Sequence, residues 1–408
     1  MLTQTVTVKG YNSNGEGVAR LEDGRVVFIR GAARDDVLEI TLIQELSKIA
    51  RAEITRIITP SPYRIEPDCA VYPKCGGCDY RHITYEEELF AKLQCVNDAL
   101  KRIGSIPIQV DQILHTGQIN GYRNKAVLHS DGSSIGFHKA RSHDVIPVEH
   151  CLLLKDMLND AIKSLVKDEI KPNRNITLCS GVSGINISYE NPSHRLNREK
   201  TCQPLEEEMD GLIFQLEGFF QVNTNAALLL FQKAREYAAL SKSETLVDLY
   251  CGVGALTLFI GRDAGRALGV EINTNAVKIA RENAKRNMLS HIDFINADAD
   301  DDNWMTDISE PDCIIVDPPR RGLSQGTINK ILKLSPKRLV YISCNPATLA
   351  RDLKLMTMEK SRGLENPAGI KVKDPLKPGN YKLKKICAVD MFPRTANIEC
   401  CCLLIKES

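Results

Sequence analysis

The stretch Thr245-Leu246-Val247-Asp248-Leu249-Tyr250-Cys251-Gly252-Val253-Gly254-Ala255-Leu256-Thr257-Leu258 decides the fold. A run of strand-favouring residues passes through a G-x-G turn into a helical pattern. Further strand-like runs follow at 266–270, 293–296 and 313–316, separated by helical patterns, and a helix is predicted over 226–240 ahead of the first strand. Strands alternating with helices predict a parallel sheet covered on both faces. The G-x-G turn lets a ligand lie against bare backbone. A dinucleotide fingerprint would need glycine or alanine at position 257, where this chain has Thr257, so a nucleoside ligand without phosphates is expected instead.

Asp248, Glu271, Asp298 and Asp317 fall at the ends of four successive strands, the rim at which open α/β sheets bind ligands. Singly, each would read as a cap or turn residue. In register they read as a site. Glu271 stands at the distance from Gly252 at which an acid accepts ribose hydroxyls, and Asp298 is placed to meet an adenine edge. A cationic ligand such as S-adenosylmethionine suits this acidic rim.

Tyr341-Ile342-Ser343-Cys344-Asn345-Pro346-Ala347-Thr348-Leu349-Ala350-Arg351-Asp352-Leu353 puts one cysteine between a strand and a helix. A lone cysteine is more often a buried, inert thiol. At the start of a helix, however, backbone amides are expected to favour the thiolate, which makes Cys344 the candidate nucleophile. Glu399 lies in a mostly apolar, cysteine-rich run, where a plain surface carboxylate is the less expected reading.

With 408 residues and a formal net charge of +1, the chain predicts two or three domains and excludes a uniformly basic coat, though not a local basic face. It has no apolar run of membrane-spanning length and no signal-peptide pattern, so a cytoplasmic protein is expected. Residues 1–60 read as short strands punctuated by Gly10, Gly15, Gly17, Gly24 and Gly31, as in small closed barrels that bind oligonucleotides. The eight Lys or Arg and eight Asp or Glu up to Pro60 leave a purely structural barrel equally open.

Fourteen cysteines in a cytoplasmic chain should divide among buried thiols, a reactive thiol and a metal site rather than disulfides. Cys69, Cys75 and Cys78 form a C-x5-C-x2-C loop with Gly76 and Gly77, and Cys151 is the candidate fourth ligand. Spacing alone suits an iron–sulfur cluster or a tetrahedral zinc, with the missing second C-x2-C pair favouring the cluster. A helix is predicted over 85–103, with Leu89, Leu93, Val96 and Leu100 on its buried face, and a mostly β region follows. His115, His129, His138, His143, His150 and His194 show no ligand spacing.

These motifs, with Phe220-Gln221-Val222-Asn223, Asp317-Pro318-Pro319-Arg320, Ser343-Cys344-Asn345-Pro346 and Met391-Phe392-Pro393-Arg394-Thr395 leading to Ile398-Glu399, resemble the RNA (uracil-5-)-methyltransferase family nearly end to end. Residues 11–17 and 23–28 resemble the start of a TRAM domain, a small RNA-binding module. The likeness is greatest to the TRAM-bearing, iron–sulfur branch that acts on 23S ribosomal RNA, with the transfer-RNA branch as the alternative. It implies an α/β fold with a Rossmann-like S-adenosylmethionine-dependent methyltransferase domain at 219–408. An OB-like TRAM barrel would occupy 1–60 and a β-rich, RNA-contacting iron–sulfur domain 61–218, with the helix at 85–103 packing on the catalytic half. It also implies a [4Fe-4S] cluster on Cys69, Cys75, Cys78 and Cys151, and cofactor contacts from Gln221, Tyr250, Glu271, Asp298 and Asp317. Cys344 would be the nucleophile toward carbon 6 of uracil and Glu399 the base. RNA is the expected partner of a monomeric enzyme.

The chain departs from the family at Ala255, where relatives have Asn, at Asn397, in place of a common His, and in a lysine-rich insertion at 356–380. Two rivals remain. A non-catalytic RNA-binding protein would not need both Cys344 and Glu399. Methylation of an exocyclic amine would call for an aromatic residue where Arg320 stands.

Overall fold

The computed structural model describes residues 3–110, 112–165, 174–191, 194–201, 205–216, 220–306, 308, 310–357 and 381–407. The inserted loop, with Lys371, Lys373 and Lys377, lies outside the described residues from 358 to 380. The chain forms two compact units. The first comprises Met1–Cys95, Thr116–Leu205 and Asp390–Asn397, and the second Val96–His115, Glu206–Val389 and Ile398–Ser408.

The first unit opens with β1 (Thr3–Thr7), β2 (Gly10–Tyr11), β3 (Gly17–Arg20), β4 (Val26–Ile29), β5 (Val37–Glu45) and β6 (Ile49–Thr59), ordered β1-β5-β6-β4-β3-β2. The two ends of this order, β1 and β2, are consecutive in the chain, and the intervening Lys9 N–H donates to Val18 O at 2.8 Å. The sheet therefore curls into a barrel around Val8, Val27, Ile29, Leu38 and Ile40. β2 and β3 escape sequence reading because they are short and begin with glycine. Gly17 has a packing reason: a Cβ there would stand 2.7 Å from the Cβ of Ala32.

Helix α1 (Tyr85–Ala99) spans the boundary between the units, and its part in the first unit is not the apolar face expected. Glu87, Glu88, Ala91 and Lys92 are its buried residues there, while Leu89 and Leu93 are only partly covered. Lys92 Nζ donates to Glu88 Oε1 at 2.7 Å, to Asp390 Oδ1 at 2.7 Å and to Phe392 O at 3.1 Å. Tyr85 Oη donates to Asp390 Oδ2 at 2.7 Å, and the Arg394 amide donates to Glu88 Oε1 at 2.6 Å. The partners of Glu88 and Lys92 lie on the loop 390–397, far along the chain, whereas Glu87 accepts from Arg34 Nη2 at 2.8 Å and Ala91 packs with Tyr80 and Ile83.

After β7 (Ile113–Leu114), which belongs to the second unit, come β8 (Lys125–Ser130), β9 (Ile135–His138), β10 (Val145–Pro147), α2 (Asp156–Leu165), β11 (Arg174–Gly181), β12 (Gly184–Asn191) and β13 (His194–Thr201). The strands form an antiparallel sheet ordered β10-β9-β8-β11-β12-β13. Helix α2, which the sequence reading missed, packs Leu158, Ile162 and Leu165 with Leu128, Ile176 and Leu178.

The second unit adds the hairpin β14 (Glu206–Met209) and β15 (Leu212–Gln215), then α3 (Thr224–Ala238), capped by Asn223 Oδ1 on the Ala226 amide. The alternating region follows as β16 (Thr245–Leu249), α4 (Ala255–Gly261), β17 (Arg266–Glu271), α5 (Thr274–Arg286), β18 (Ile292–Asn296), β19 (Cys313–Val316), α6 (Gln325–Leu334), β20 (Arg338–Ser343), α7 (Pro346–Thr357), β21 (Tyr381–Val389) and β22 (Glu399–Lys406). Their sheet is ordered β18-β17-β16-β19-β20-β22-β21-β7, with β16 to β20 parallel and β22 running antiparallel between β20 and β21. Both faces of β22 are covered, so Cys400, Cys401 and Cys402 serve as small apolar residues. Among the described residues no helix is long and apolar enough to cross a membrane.

Lys92→Met should destabilise the protein by about 3–5 kcal/mol, because Asp390 would be left buried without its cation and Glu88 with only Arg394 at 3.5 Å. The loss should be largest at alkaline pH and shrink as the Glu88 carboxyl, raised by burial, takes up a proton on acidification. Urea denaturation at pH 5 and pH 8 checks both the loss and its direction.

Candidate active site

Order in the parallel part of the sheet reverses between β16 and β19, the switch point at which such sheets bind ligands. Glu271 closes β17, Tyr250 follows β16, Asp317 follows β19 and Cys344 follows β20. Ser343 pairs with Cys400 as the last rung between β20 and β22, so Cys344 and Glu399 leave that rung side by side. At the spacing of adjacent strands, the Glu271 end of the rim lies roughly 14 Å from Cys344.

Cys344 is half-buried and Glu399 is 5 % exposed. Burial pushes the Cys344 thiol up to about 11, and Glu399 and Asp317 add to the rise while Arg320 opposes it. Burial outweighs the expected thiolate-favouring helix start, and the first amides of that start are engaged elsewhere. Helix α7 begins at Pro346, which has no N–H. The Asn345 amide donates to Ser343 Oγ at 3.2 Å and the Ala347 amide to Asn345 Oδ1 at 3.1 Å, so neighbouring side chains occupy the first amides.

Burial also raises the Glu399 carboxyl well above its ordinary value, with Asp317 adding to the rise and Arg320 opposing it. Asp317 itself is pushed up to about 7 by burial. Arg320, which in the sequence speaks against exocyclic-amine methylation, is a cation that opposes the rise at both Cys344 and Glu399. Its carbonyl accepts from Asn345 Nδ2 at 2.9 Å and Thr348 Oγ1 at 3.2 Å, which ties its loop to the Cys344 turn.

On the other half of the rim, Glu271 is fixed at both oxygens, Oε2 accepting from the Gly252 amide at 3.0 Å and Oε1 from the Asn273 amide at 2.8 Å. Tyr250 adopts a φ of +67°, unusual for a residue with a side chain, and its hydroxyl lies 3.0 Å from Thr327 Oγ1, which donates to Asp300 Oδ1 at 2.6 Å. Asp298 Oδ1 accepts the Asp300 amide at 3.0 Å. Gln221 lies mostly buried just ahead of the cap of α3.

Asp248 does not join the rim. It is fully buried, accepts from Thr257 Oγ1 at 2.6 Å and is pushed up to about 7 by burial. Thr257, which breaks the dinucleotide fingerprint, is the residue that donates to Oδ2 of this carboxyl.

The cysteine loop lies in the first unit. Burial raises the Cys78 thiol to about 12 and lifts Cys75 and Cys151 above their ordinary value. Charge on Cys151 would raise both Cys75 and Cys78, and charge on Cys69 would raise Cys75, so the four thiols share one neighbourhood. Arg81 and Arg123 oppose the rise at Cys151, and the Gly77 amide donates to Cys75 Sγ at 3.4 Å. Four soft donors near guanidinium groups and an N–H···S bond fit a thiolate-ligated group. Among the described residues, no group of three or more His, Cys, Asp or Glu is arranged to hold a metal ion.

Sheet order and rim define a Rossmann-like methyltransferase fold. A crystal structure of Pyrococcus abyssi tRNA (uracil-54, C5)-methyltransferase in complex with S-adenosyl-L-homocysteine shares it, with a TM-score of 0.73 and 21 % identity over 98 % of this chain and 100 % of that one. Profiles described as tRNA (Uracil-5-)-methyltransferase and TRAM domain match residues 213–364 and 2–55. RNA methyltransferases, themselves uncharacterized, from Thermosynechococcus vestitus and Bacillus cereus are 31 % and 30 % identical to the chain, over 98 % of it in each case and 98 % and 96 % of their own lengths. The chain belongs to the RNA (uracil-5-)-methyltransferase family and carries an N-terminal TRAM domain.

Iodoacetamide alkylation of Cys344 should keep rising through pH 9 instead of levelling off, since burial pushes the thiol up to about 11. Arg320→Gln should move the midpoint further up by removing the cation. Glu399→Gln should move it down by removing a negative neighbour. Mass spectrometry of the labelled Cys344 peptide across a pH series reads all three.

Proposed function

We propose that this chain methylates carbon 5 of a uridine in RNA through a covalent adduct between Cys344 and carbon 6, with Glu399 as the base. The observation that carries this reading is the rung that sets Cys344 beside Glu399, with Asp317 and Arg320 around them. Carbon 5 of uracil is a poor nucleophile, and addition of a thiolate at carbon 6 moves the ring's double-bond electrons into an enolate. Arg320 offsets part of the burial and of the carboxylate charge that oppose the Cys344 thiolate. Bound S-adenosylmethionine supplies a methyl group on a sulfonium, which carbon 5 of the enolate accepts. Glu399 Oε then takes the carbon 5 proton, the ring double bond re-forms and Cys344 Sγ leaves. A carboxyl raised by burial is a better base than an ordinary one. Asp317 aligns the reacting groups, while Gln221, Tyr250, Glu271 and Asp298 hold the cofactor along the rim. The uridine must leave its stack to reach these groups, which suits single-stranded or loop RNA.

Cys69, Cys75, Cys78 and Cys151 would hold a [4Fe-4S] cluster that organises their loop. The TRAM domain and this cysteine set favour 23S ribosomal RNA as the substrate of a cytoplasmic, monomeric enzyme. A transfer-RNA uridine is the second reading, favoured by the description of the family profile. Mapping 5-methyluridine in ribosomal and transfer RNA from cells with and without the gene decides between them.

Cys344→Ala should abolish methylation and leave S-adenosylmethionine affinity nearly unchanged. Glu399→Gln should slow turnover by about 10²–10⁴-fold and accumulate a denaturation-resistant protein–RNA adduct already carrying the methyl group. Methylation by the alanine variant would remove the covalent step, whereas normal turnover by the glutamine variant without adduct would remove only the base. Anaerobically purified protein should contain iron and labile sulfide, and Cys151→Ser should lose both while retaining cofactor binding. Stoichiometric zinc without iron would replace the cluster by a zinc site.

A further inference from the structure

Within the first unit lies a cavity of about 680 Å³ to which neither Cys344 nor Glu399 contributes. Four cationic side chains line it: Arg30 and Arg51 from the barrel, and Lys139 and Arg141 from the loop after β9. Two carboxylates face them, Glu16 and Asp79, which leaves an excess of two positive charges.

The arrangement is built around Glu16, which is only 2 % exposed. It accepts from Asn12 Nδ2 at 2.9 Å and Arg51 Nη1 at 3.4 Å, and also from Arg141 Nη2. Burial would raise the Glu16 carboxyl, but hydrogen bonds from Asn12 and Arg141 and the charges of Arg141 and Arg51 outweigh it, so this group stays anionic. One buried carboxylate thereby orients two guanidinium groups whose side chains remain 30 % and 47 % exposed. Arg30 Nη2 donates to the Cys75 carbonyl at 3.3 Å, a neutral acceptor that positions the guanidinium without cancelling its charge. Asp79 accepts the Ala396 amide at 2.9 Å, and burial holds its carboxyl above its ordinary value. Gly15, at φ +73°, admits the close wall, since a Cβ there would meet the Cβ of Asp79 at 2.8 Å.

Oriented guanidinium groups with net charge left over, lining a cavity of ligand size, make an anion site. We propose that this cavity binds two consecutive phosphodiesters of the RNA substrate through Arg30, Arg51 and Arg141. The proposal rests on the reading of the chain as an RNA-modifying enzyme. Two phosphodiesters match the excess of two positive charges, and a continuous strand can enter and leave an open cavity.

The test uses the full-length protein and a fluorescent oligoribonucleotide that lacks uridine, so that binding is read apart from methylation. Affinity is measured by anisotropy over a series of KCl concentrations. Replacing Arg30, Arg51 and Arg141 together by Gln should make the slope of log K against log[salt] shallower by about 1.4, at roughly 0.7 per single-stranded phosphate. Arg141→Gln alone, at a half-exposed side chain, should give about half that change and keeps the test open if the triple variant folds poorly. S-adenosylhomocysteine affinity should stay the same in both. An unchanged slope in the single variant overturns the proposal, as does complete displacement of the wild-type RNA complex by millimolar inorganic phosphate at constant ionic strength, which would mark the cavity as a free-phosphate site. If the slope changes as expected but no RNA uridine is ever methylated, the pocket stands and the catalytic reading falls.

Discussion

One rung of the sheet, Ser343 opposite Cys400, constrains the candidate chemistry. Parallel strands alone would bring Cys344 and Asp317 to a common rim but would leave nothing facing Cys344 from beyond β20. Insertion of an antiparallel strand next to β20 means that a residue at the beginning of one strand meets a residue at the end of another. A slip by a single residue would turn the Glu399 side chain to the opposite face. The rung is backed on its far side, where Val389 of β21 pairs with Glu399.

The loop between β21 and β22 extends this constraint. Beside the apolar contact of Ala396, its grip is polar: the Lys92 ammonium reaches two carboxylates and a carbonyl, Tyr122 Oη donates to Pro393 O at 2.9 Å, and the Asp79 amide donates to Arg394 O at 2.9 Å. Apolar packing tolerates small shifts, whereas hydrogen-bonded ions in a dry interior do not. The loop that delivers Ile398 and Glu399 is therefore held by directional bonds.

The parallel sheet was legible in the sequence because β16 to β20 are apolar runs bounded by turns and separated by helical periodicity. The residues at their ends could be nominated for the same reason. Other features depended on partners that no local window contains. The charged face of α1 is explained by Asp390 and Arg394, and the barrel strands β2 and β3 by closure against β1 and β4. Pairing direction was equally hidden, since a buried strand reads the same whichever way it runs. The misread electrostatics of Cys344 came from burial and from the nearby Glu399 and Asp317, which no local window around Ser343 and Asn345 contains. Thr257 shows the converse case, a residue that excluded one ligand class by its identity and gained a role only once Asp248 was seen to be buried.

The route of the chain carries a consequence for the protein's history and handling. Following the sequence, the backbone passes between the two units five times, and the eight residues Asp390–Asn397 belong to the first unit although both flanking strands belong to the second. Neither unit is a contiguous cassette. Gene fusion or exon-like exchange could transplant the leading barrel, but not the two units from one another, and a ribosome must finish nearly the whole polypeptide before the first unit has all its parts. Fragments expressed for study would each lack a piece encoded in the other.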